Sequence, residues 1–295
     1  MKSVKSAGAT RRAAVAPADP DTGESTTYAV PALEKGLDVV EFLSAQERPL
    51  TLTGIAQALD RSPGELFRIV TVLARRGWIA RLADDSYQLT AKLFELAHGY
   101  PPNKRLVDVA LPVMRAISND LGQSCHLSVA DSGDQLVILA IESNGAAGVF
   151  VRTGTRYPLG TTASGRVMLA FGSEEVLAGA QEHSAVERIT ERPLPSDLPE
   201  RLARIRARGF EEVVGEWLDA VVDICWPIFN ARAEVTAVLA MPFLAIARRR
   251  VDVGAARQRA REGAEQISRA LGAGDYEACL AAARGRKAAA SGEDP

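Results

Sequence analysis

The sequence predicts an α/β mixed (α+β) chain in two parts: an N-terminal winged helix-turn-helix, then a larger domain of strands and helices. Three observations carry this. Residues 28–90 hold three short helical patterns closed by a strand–turn–strand stretch. Gly99-Tyr100-Pro101-Pro102-Asn103 must then break any helix, because Pro removes a donor and restricts its predecessor. Beyond it, strand and helix patterns mix, with sharp turn signals, to about residue 284.

Taken in order, residues 1–27 are rich in Ala, Thr, Pro, Asp and Gly and hold few large apolar residues. Such a stretch buries too little surface to offset its ordering entropy, so a disordered tail is expected. It has no continuous apolar run of the kind a secretion signal needs. Regular structure begins near Tyr28. Pro31 opens a helix whose stripe runs Leu33, Leu37, Val40 and on to Leu43 or Ser44. Gln46 to Leu50 is a turn. Thr51 starts a second, short helix with Ile55 and Leu59 inward, and Asp60-Arg61 links it tightly to a third.

The third helix is the most informative. Ser62 caps it and Pro63 fills the first position, where a missing N–H costs nothing. Leu66, Ile69, Val70 and Leu73 follow at i, i+3, i+4, i+7. Gly77 suits the position past its end, and Arg75 and Arg76 complement its dipole. The opposite face carries Gly64, Arg68, Thr71 and Arg75. From Arg61 to Arg81 five arginines stand against one acid, Glu65, a local net charge of +4. Such a patch gains affinity for a polyanion by releasing counterions, although a plain solvated helix face is the competing reading. Trp78 to Arg81, a polar turn over 83–86 and Tyr87 to Leu89 make the wing. Residues 28–93 hold eight basic and eight acidic side chains, so the argument rests on placement rather than number. The candidate DNA-contacting residues are Arg61, Ser62, Gly64, Glu65, Phe67, Arg68, Thr71, Arg75 and Arg81.

Residues 91–105 form the connector. A helix follows with Leu106, Val109, Ala110, Val113, Met114, Ile117 and Leu121, ending at Gly122. Strands are expected over 124–130 and 135–141, joined by Asp131-Ser132-Gly133-Asp134, with a third over 148–152. A helix from about 164 to 171 comes next, then helical stretches near 174–181 and 197–208. Strands near 210–214, 221–229 and 234–243 precede a long helix over 252–271, with another turn toward 283. Residues 106–284 thus make one domain, and 285–295 read as a disordered tail.

The loop Gly160 to Val167 is the richest in chemistry. It nearly spells a phosphate loop, but Arg166 and Val167 replace the Lys and the Ser/Thr that phosphate and magnesium need. Ser164 lacks the G-x-S-x-G context of a nucleophile. What remains is a small-residue turn into a helix N-terminus, a ready site for a carboxylate. Close helix–sheet packing is the competing reading for Ser164 and Gly165. Cys125, His126, His98, His183 and Cys225 show no metal spacing, so neither metal nor cofactor is expected. Asp219 and Asp223, roughly 13 Å apart along a strand, are too far apart for concerted acid–base work.

Composition narrows the class. A 47% hydrophobic content supports globular cores, and 5% aromatic residues argue against a stacking platform for single strands. The net charge of −2 gives no reason to expect nonspecific coating of polyanions. Three scattered cysteines suit reduced thiols in a cytoplasm. The apolar window 235–247 is shorter than the ~18 residues a membrane span needs and contains Pro242, so a buried strand is expected.

In order along the chain stand V-P-A-L-E-K-G-L-D-V-V-E-F-L, T-L-T-G-I-A-Q-A-L, S-P-G-E-L-F-R-I-V-T-V-L-A-R-R-G-W-I and Y-Q-L-T. Downstream follow A-L-P-V-M-R-A-I-S-N-D-L-G-Q-S-C-H-L, Y-P-L-G-T-T-A-S-G-R-V-M-L-A-F and D-I-C-W-P-I-F. On these motifs, over most of its length, the chain resembles the IclR family of bacterial transcriptional regulators. The resemblance implies a GAF-like effector-binding domain and a homodimeric or homotetrameric repressor or activator that reads a palindromic operator in double-stranded DNA. It also implies a small-molecule effector, often an organic acid. Carried onto this chain, the effector pocket maps to Val149, Ala163, Ser164, Gly165, Asp223, Leu239 and Met241. The family's better-known pocket is polar where this chain has Leu239 and Met241. Asp223 would repel an acid at close range, or accept a hydrogen bond from a hydroxyl. The alternative is a hydrolase-like small-molecule enzyme that uses Ser164 or Asp223, for which no catalytic constellation is complete.

Overall fold

Two short helices and a capped third, braced by a small sheet, form the first of the two units into which the chain divides between residues 100 and 101. The computed structural model describes residues 30–99, 101–145, 147–173, 176, 194–245 and 252–291. The expected tail over 1–27, and all of the helical stretch at 174–181 except Val176, lie outside the described residues.

Helix α1 (Pro31–Ser44) opens on Pro31 as expected. Its buried stripe differs from the expected one. Val39 and Leu43 are buried, while Leu33 and Leu37 are exposed. The helix offers apolar residues on two sides, and the side chosen is the one where Gly36 admits Ile69 of the third helix. Leu50–Thr51 is a short strand, β1, where a turn was expected. Thr51 also caps α2 (Leu52–Ala58), its Oγ1 accepting from the Gly54 N–H at 3.2 Å. Asp60, at φ 54, turns the chain into α3 (Pro63–Arg75). Ser62 caps α3 by accepting from the Glu65 N–H at 3.3 Å. Leu66 and Val70 are buried against α1 and α2, and Gly77, at φ 75, ends the turn.

Strands β2 (Ile79–Arg81) and β3 (Ser86–Leu89) form the wing, and β1 joins them in the order β1-β3-β2. The wing tip is fixed by Asp84, whose Oδ1 accepts from the N–H and hydroxyl of Ser86. Helix α4 (Lys92–Gly99) follows.

The second unit opens with α5 (Pro101–Leu121), which buries Leu106, Ala110, Val113, Met114, Ile117 and Leu121. Six antiparallel strands follow: β4 (Cys125–Asp131), β5 (Asp134–Ile141), β6 (Arg156–Pro158), β7 (Glu211–Val214), β8 (Val221–Phe229) and β9 (Val235–Leu244). Their order in the sheet is β6-β5-β4-β9-β8-β7. The strand expected over 148–152 does not form. A turn at Arg152–Thr155, with Gly154 at φ 88, brings 156–158 to β5 instead, and Asp134 pairs with Pro158. Pro242 fits within β9 because the ladder to β4 stops at Ala240.

One face of the sheet is covered by α5 and α8 (Val253–Ala270). The other is covered by α6 (Ala163–Phe171), which packs on α7 (Leu198–Arg208). Helix α9 (Tyr276–Ser291) runs further than expected, so residues 285–291 are helical rather than a tail. Its first residue anchors it: the Tyr276 hydroxyl donates to the Pro227 carbonyl at 2.6 Å. Among the described residues no helix is long and apolar enough to cross a membrane.

Candidate functional site

The first candidate surface is the outer side of α3. Gly64, Glu65, Phe67, Arg68, Thr71 and Arg75 are all exposed, and Phe67 keeps 56% of its surface accessible. Burial of Leu66 and Val70 on the opposite side fixes which face looks out. The charged groups divide into two sets. Glu65 binds Lys35 Nζ at 2.5 Å and Arg61 Nη1 at 3.4 Å, and Arg61 reaches Asp38 at 3.5 Å. The Lys35 ammonium beside Glu65 holds its carboxyl below the ordinary value. This chain of charges ties α3 to α1, so Arg61 and Glu65 orient the helix. Arg81, on the wing, pairs with Asp85 at 2.8 Å while both stay exposed. Among the described residues no ion pair engages Arg68 or Arg75. The Thr71 hydroxyl donates to the Phe67 carbonyl at 2.7 Å, which leaves its lone pairs outward. Gly64 leaves bare backbone at the helix N-terminus, with nothing near where a Cβ would stand.

The second candidate is a cavity of about 310 Å³ in the second unit, beneath the start of α6. The sheet supplies His126, Gln135, Tyr157, Val221, Asp223, Cys225, Ala240 and Pro242. The segment 149–151 adds Val149, Phe150 and Val151, the β7–β8 loop adds Trp217 and Leu218, and α6 with its cap adds Thr162, Ala163 and Ser164. Tyr157 and Trp217 meet edge to face at 5.6 Å.

A buried polar cluster shapes the α6 end. Gln135 Oε1 accepts from Thr162 Oγ1 at 2.6 Å and from Ser164 Oγ at 2.8 Å, while Gln135 Nε2 donates to Ser128 Oγ at 3.1 Å. Thr162 in turn caps α6 by accepting from the Gly165 N–H at 3.0 Å. The N–H groups of Ala163 and Ser164, in the first turn, have no intrahelical acceptor.

The electrostatics are one-sided. Burial holds the His126 imidazole down at about 4, so it is neutral near pH 7. Burial also raises the Tyr157 hydroxyl and the Cys225 thiol. Asp223 is pushed up to about 6 by burial first and then by Glu216, with Arg166 opposing. No Lys or Arg stands among the described lining residues. Near neutral pH the lining therefore carries one charge, and it is negative. Behind it, Arg166 is fully buried, bonding Glu216 at 2.7 Å and Glu211 at 3.1 Å. The arginine that stood in for a phosphate-loop lysine is thus a clamp between α6, β7 and the β7–β8 loop.

Of the seven residues mapped to this pocket, Val149, Ala163, Ser164 and Asp223 line the cavity. Three do not. Leu239 and Met241 point to the opposite face, where Leu239 packs against Gly263 of α8, and Ala240 and Pro242 take their places. Alternate residues of a strand face opposite ways, so the mapping missed by one position. Gly165 is buried behind the lining, its Cα turned onto the Leu159 carbonyl. Close packing, not ligand contact, explains that glycine. Sequence reasoning also missed His126, Gln135, Tyr157 and Thr162, whereas Trp217, which the sequence offers as core or pocket wall, does line the cavity. A Thr three residues before Gly165 was a readable cap signal, and the other three gave none.

The family model described as bacterial transcriptional regulator IclR C-terminal matches residues 98–269, and the IclR helix-turn-helix domain matches residues 32–83. The chain belongs to the IclR family. It is a transcriptional regulator with a helix-turn-helix domain and an effector-binding domain, and the enzyme alternative falls. It is similar to the HTH-type transcriptional regulator BhcR of Paracoccus denitrificans, 28% identical over 73% of this chain and 78% of that one. It is similar also to the HTH-type transcriptional regulator KdgR of Escherichia coli, 29% identical over 67% and 76%. An IclR homolog from Microbacterium hydrocarbonoxydans, solved in complex with 4-hydroxybenzoate, shares the fold at TM-score 0.66. That pair is 22% identical over 81% of this chain and 98% of the other. In IclR-family terms, the outer face of α3 belongs to the helix-turn-helix match and the cavity to the effector-binding match.

Proposed function

We propose that this regulator binds a palindromic operator in double-stranded DNA as a homodimer or homotetramer, and that a small effector in the cavity alters that binding. The observation carrying the DNA half is the exposed pair Arg68 and Arg75, engaged by no carboxylate among the described residues. Free guanidinium groups on the outer side of a helix that is packed on its inner side suit phosphate and base edges of a major groove. Ser62 and Gly64 bring the positive end of α3 to the backbone. Phe67 and Thr71 lie where base edges would pass, Arg61 and Glu65 hold the helix at its angle, and Arg81 adds a wing contact. A regulator of DNA works in the compartment that holds it, which for this chain is the cytoplasm.

The effector half rests on the cavity. Its size suits a compact ligand. The free N–H groups of Ala163 and Ser164 suit the carboxylate of an organic acid. Val149 and Asp223 complete the contacts carried over from the family, with Ala240 and Pro242 in place of Leu239 and Met241.

DNA selected from a random pool by the wild-type chain provides the probe for the first half. In a gel shift, Arg68→Ala with Arg75→Ala is expected to weaken binding about 100-fold at 0.1 M salt. The slope of log affinity against log salt falls by about 2, one unit per lost contact. Unchanged affinity and slope would remove α3 from the interface. For the second half, Ala240→Leu from the sheet and Val149→Trp from the adjacent segment each fill the cavity. Both are expected to leave DNA binding intact and to abolish its response to effector. A monomer at micromolar concentration by sedimentation would overturn the oligomeric reading.

A further inference from the structure

A cavity without a basic side chain is an odd receptor for an acid with two carboxylates. Here the described lining holds a carboxylate, Asp223, and no cation to balance it. The charges behind it do not supply one. The Arg166 guanidinium is already shared between Glu211 and Glu216, and Glu216 takes Arg201 as well, at 3.3 Å. Asp223 sits on β8 opposite Pro242, which has no N–H to offer it. Among the described residues its side chain has no hydrogen-bond partner, although it faces the cavity. The lining also holds Trp217 and Tyr157, whose rings favour a flat or cationic neighbour.

Resting on the reading of this cavity as the effector site, we propose that Asp223 selects an effector with at most one carboxylate and, away from it, a hydroxyl or ammonium donor. A hydroxy acid or an amino acid fits. A dicarboxylate of the same shape would set a second carboxylate against Asp223. Like charges so placed disfavour the diacid by about 30-fold or more, enough to decide between two otherwise matched ligands.

The groups facing Asp223 set the pH at which the preference operates. His126 on β4 is held neutral, and Tyr157 on β6 and Cys225 on β8 stay protonated through neutral pH. Glu216 on the β7–β8 loop and Glu211 on β7 raise the Asp223 carboxyl, and Arg166 on α6 lowers it. The discrimination is therefore strong above about pH 6 and fades below it, as Asp223 takes a proton.

Titration calorimetry on the full chain tests this with two matched pairs, 4-hydroxybenzoate against terephthalate and 4-hydroxybutanoate against succinate. At pH 7.5 the hydroxy acid of at least one pair is expected to bind at least about 30-fold more tightly than its diacid. Asp223→Asn, which keeps shape and removes charge, brings the two within about threefold. At pH 5 the wild-type gap narrows in the same direction. A diacid that binds as tightly as its partner, a gap that persists in Asp223→Asn, or no binding by either pair overturns the proposal. Binding that survives both Ala240→Leu and Val149→Trp places the ligand elsewhere and overturns the effector-cavity reading itself. Binding that those variants abolish, with selectivity indifferent to Asp223, overturns only the present proposal.

Discussion

Arg166→Met is expected to lower the melting temperature by about 6–20 °C, from a loss of about 3–5 kcal/mol at 2–4 °C per kcal/mol. The side chain is fully buried and holds two carboxylates, Glu211 and Glu216, on its Nε and Nη2 atoms. Burial works against its charge, but the hydrogen bond to Glu216 and the charge of Glu211 outweigh burial, so the guanidinium stays ionised. Removing it leaves the carboxylates desolvated and facing each other. Glu211 already stands above the ordinary carboxylate value, raised by burial and held back by Arg166. Without the arginine it rises further. A group raised in the folded state contributes stability below its unfolded pKa and loses it as pH rises through the folded one. The variant's deficit should therefore grow from pH 5 to pH 8 in thermal melts followed by circular dichroism. Glu211→Gln added to Arg166→Met should recover part of the loss, because a neutral amide costs less to bury. A deficit independent of pH would mean the loss comes from packing rather than from charge.

That clamp was visible in the sequence only as a failed motif. Arg166 follows a glycine-rich turn as a phosphate-binding lysine would, and nothing local says that its partners lie 45 and 50 residues downstream. Long-range polar pairing leaves no periodic trace. The same blindness hid Gln135, whose amide joins Ser128, Thr162 and Ser164 across three elements. Local chemistry was far more legible. The caps at Thr51 and Ser62, the stop at Gly77 and the apolar stripe of α5 follow from side chains within four residues of one another.

Strand parity marks the boundary between the two. In β9, V-T-A-V-L-A-M-P-F-L, both faces are apolar because helices cover both sides of the sheet. Hydrophobicity then gives no alternation from which to tell Ala240 and Pro242 from Leu239 and Met241. Only the register does so, with Asp223 opposite Pro242 and Cys225 opposite Ala240. The exposed face of α3 posed no such difficulty, since one side of that helix is buried and the other is not. Helix α1 falls between: its two apolar sides could not be ranked until Gly36 was seen to receive Ile69.

Gly165→Ala is expected to cost about 2–4 kcal/mol, although alanine is the better helix former by about 1 kcal/mol in open surroundings. A Cβ there would stand 2.1 Å from the Leu159 carbonyl oxygen and 2.7 Å from its carbon. These are backbone atoms of the turn Leu159–Thr161 that leads into α6, so neither can swing aside. Relief requires α6 to lift from that turn. Thr162 and Ser164 would lift with it, breaking the hydrogen bonds to Gln135 that fix the cavity wall. The same substitution five residues earlier makes the contrast. A Cβ on Gly160 would meet the Cδ2 of Leu194 at 2.4 Å, but that is the far end of an exposed leucine, which can rotate away. Gly160→Ala, although at a buried position, should therefore cost no more than about 1 kcal/mol, because the atom in the way is the end of a side chain rather than backbone. Thermal melts of the two variants side by side separate the explanations. Equal losses would mean the turn tolerates no side chain at all. A loss confined to Gly165→Ala, together with weaker effector binding, ties the cavity's shape to one close approach between α6 and its own entry turn.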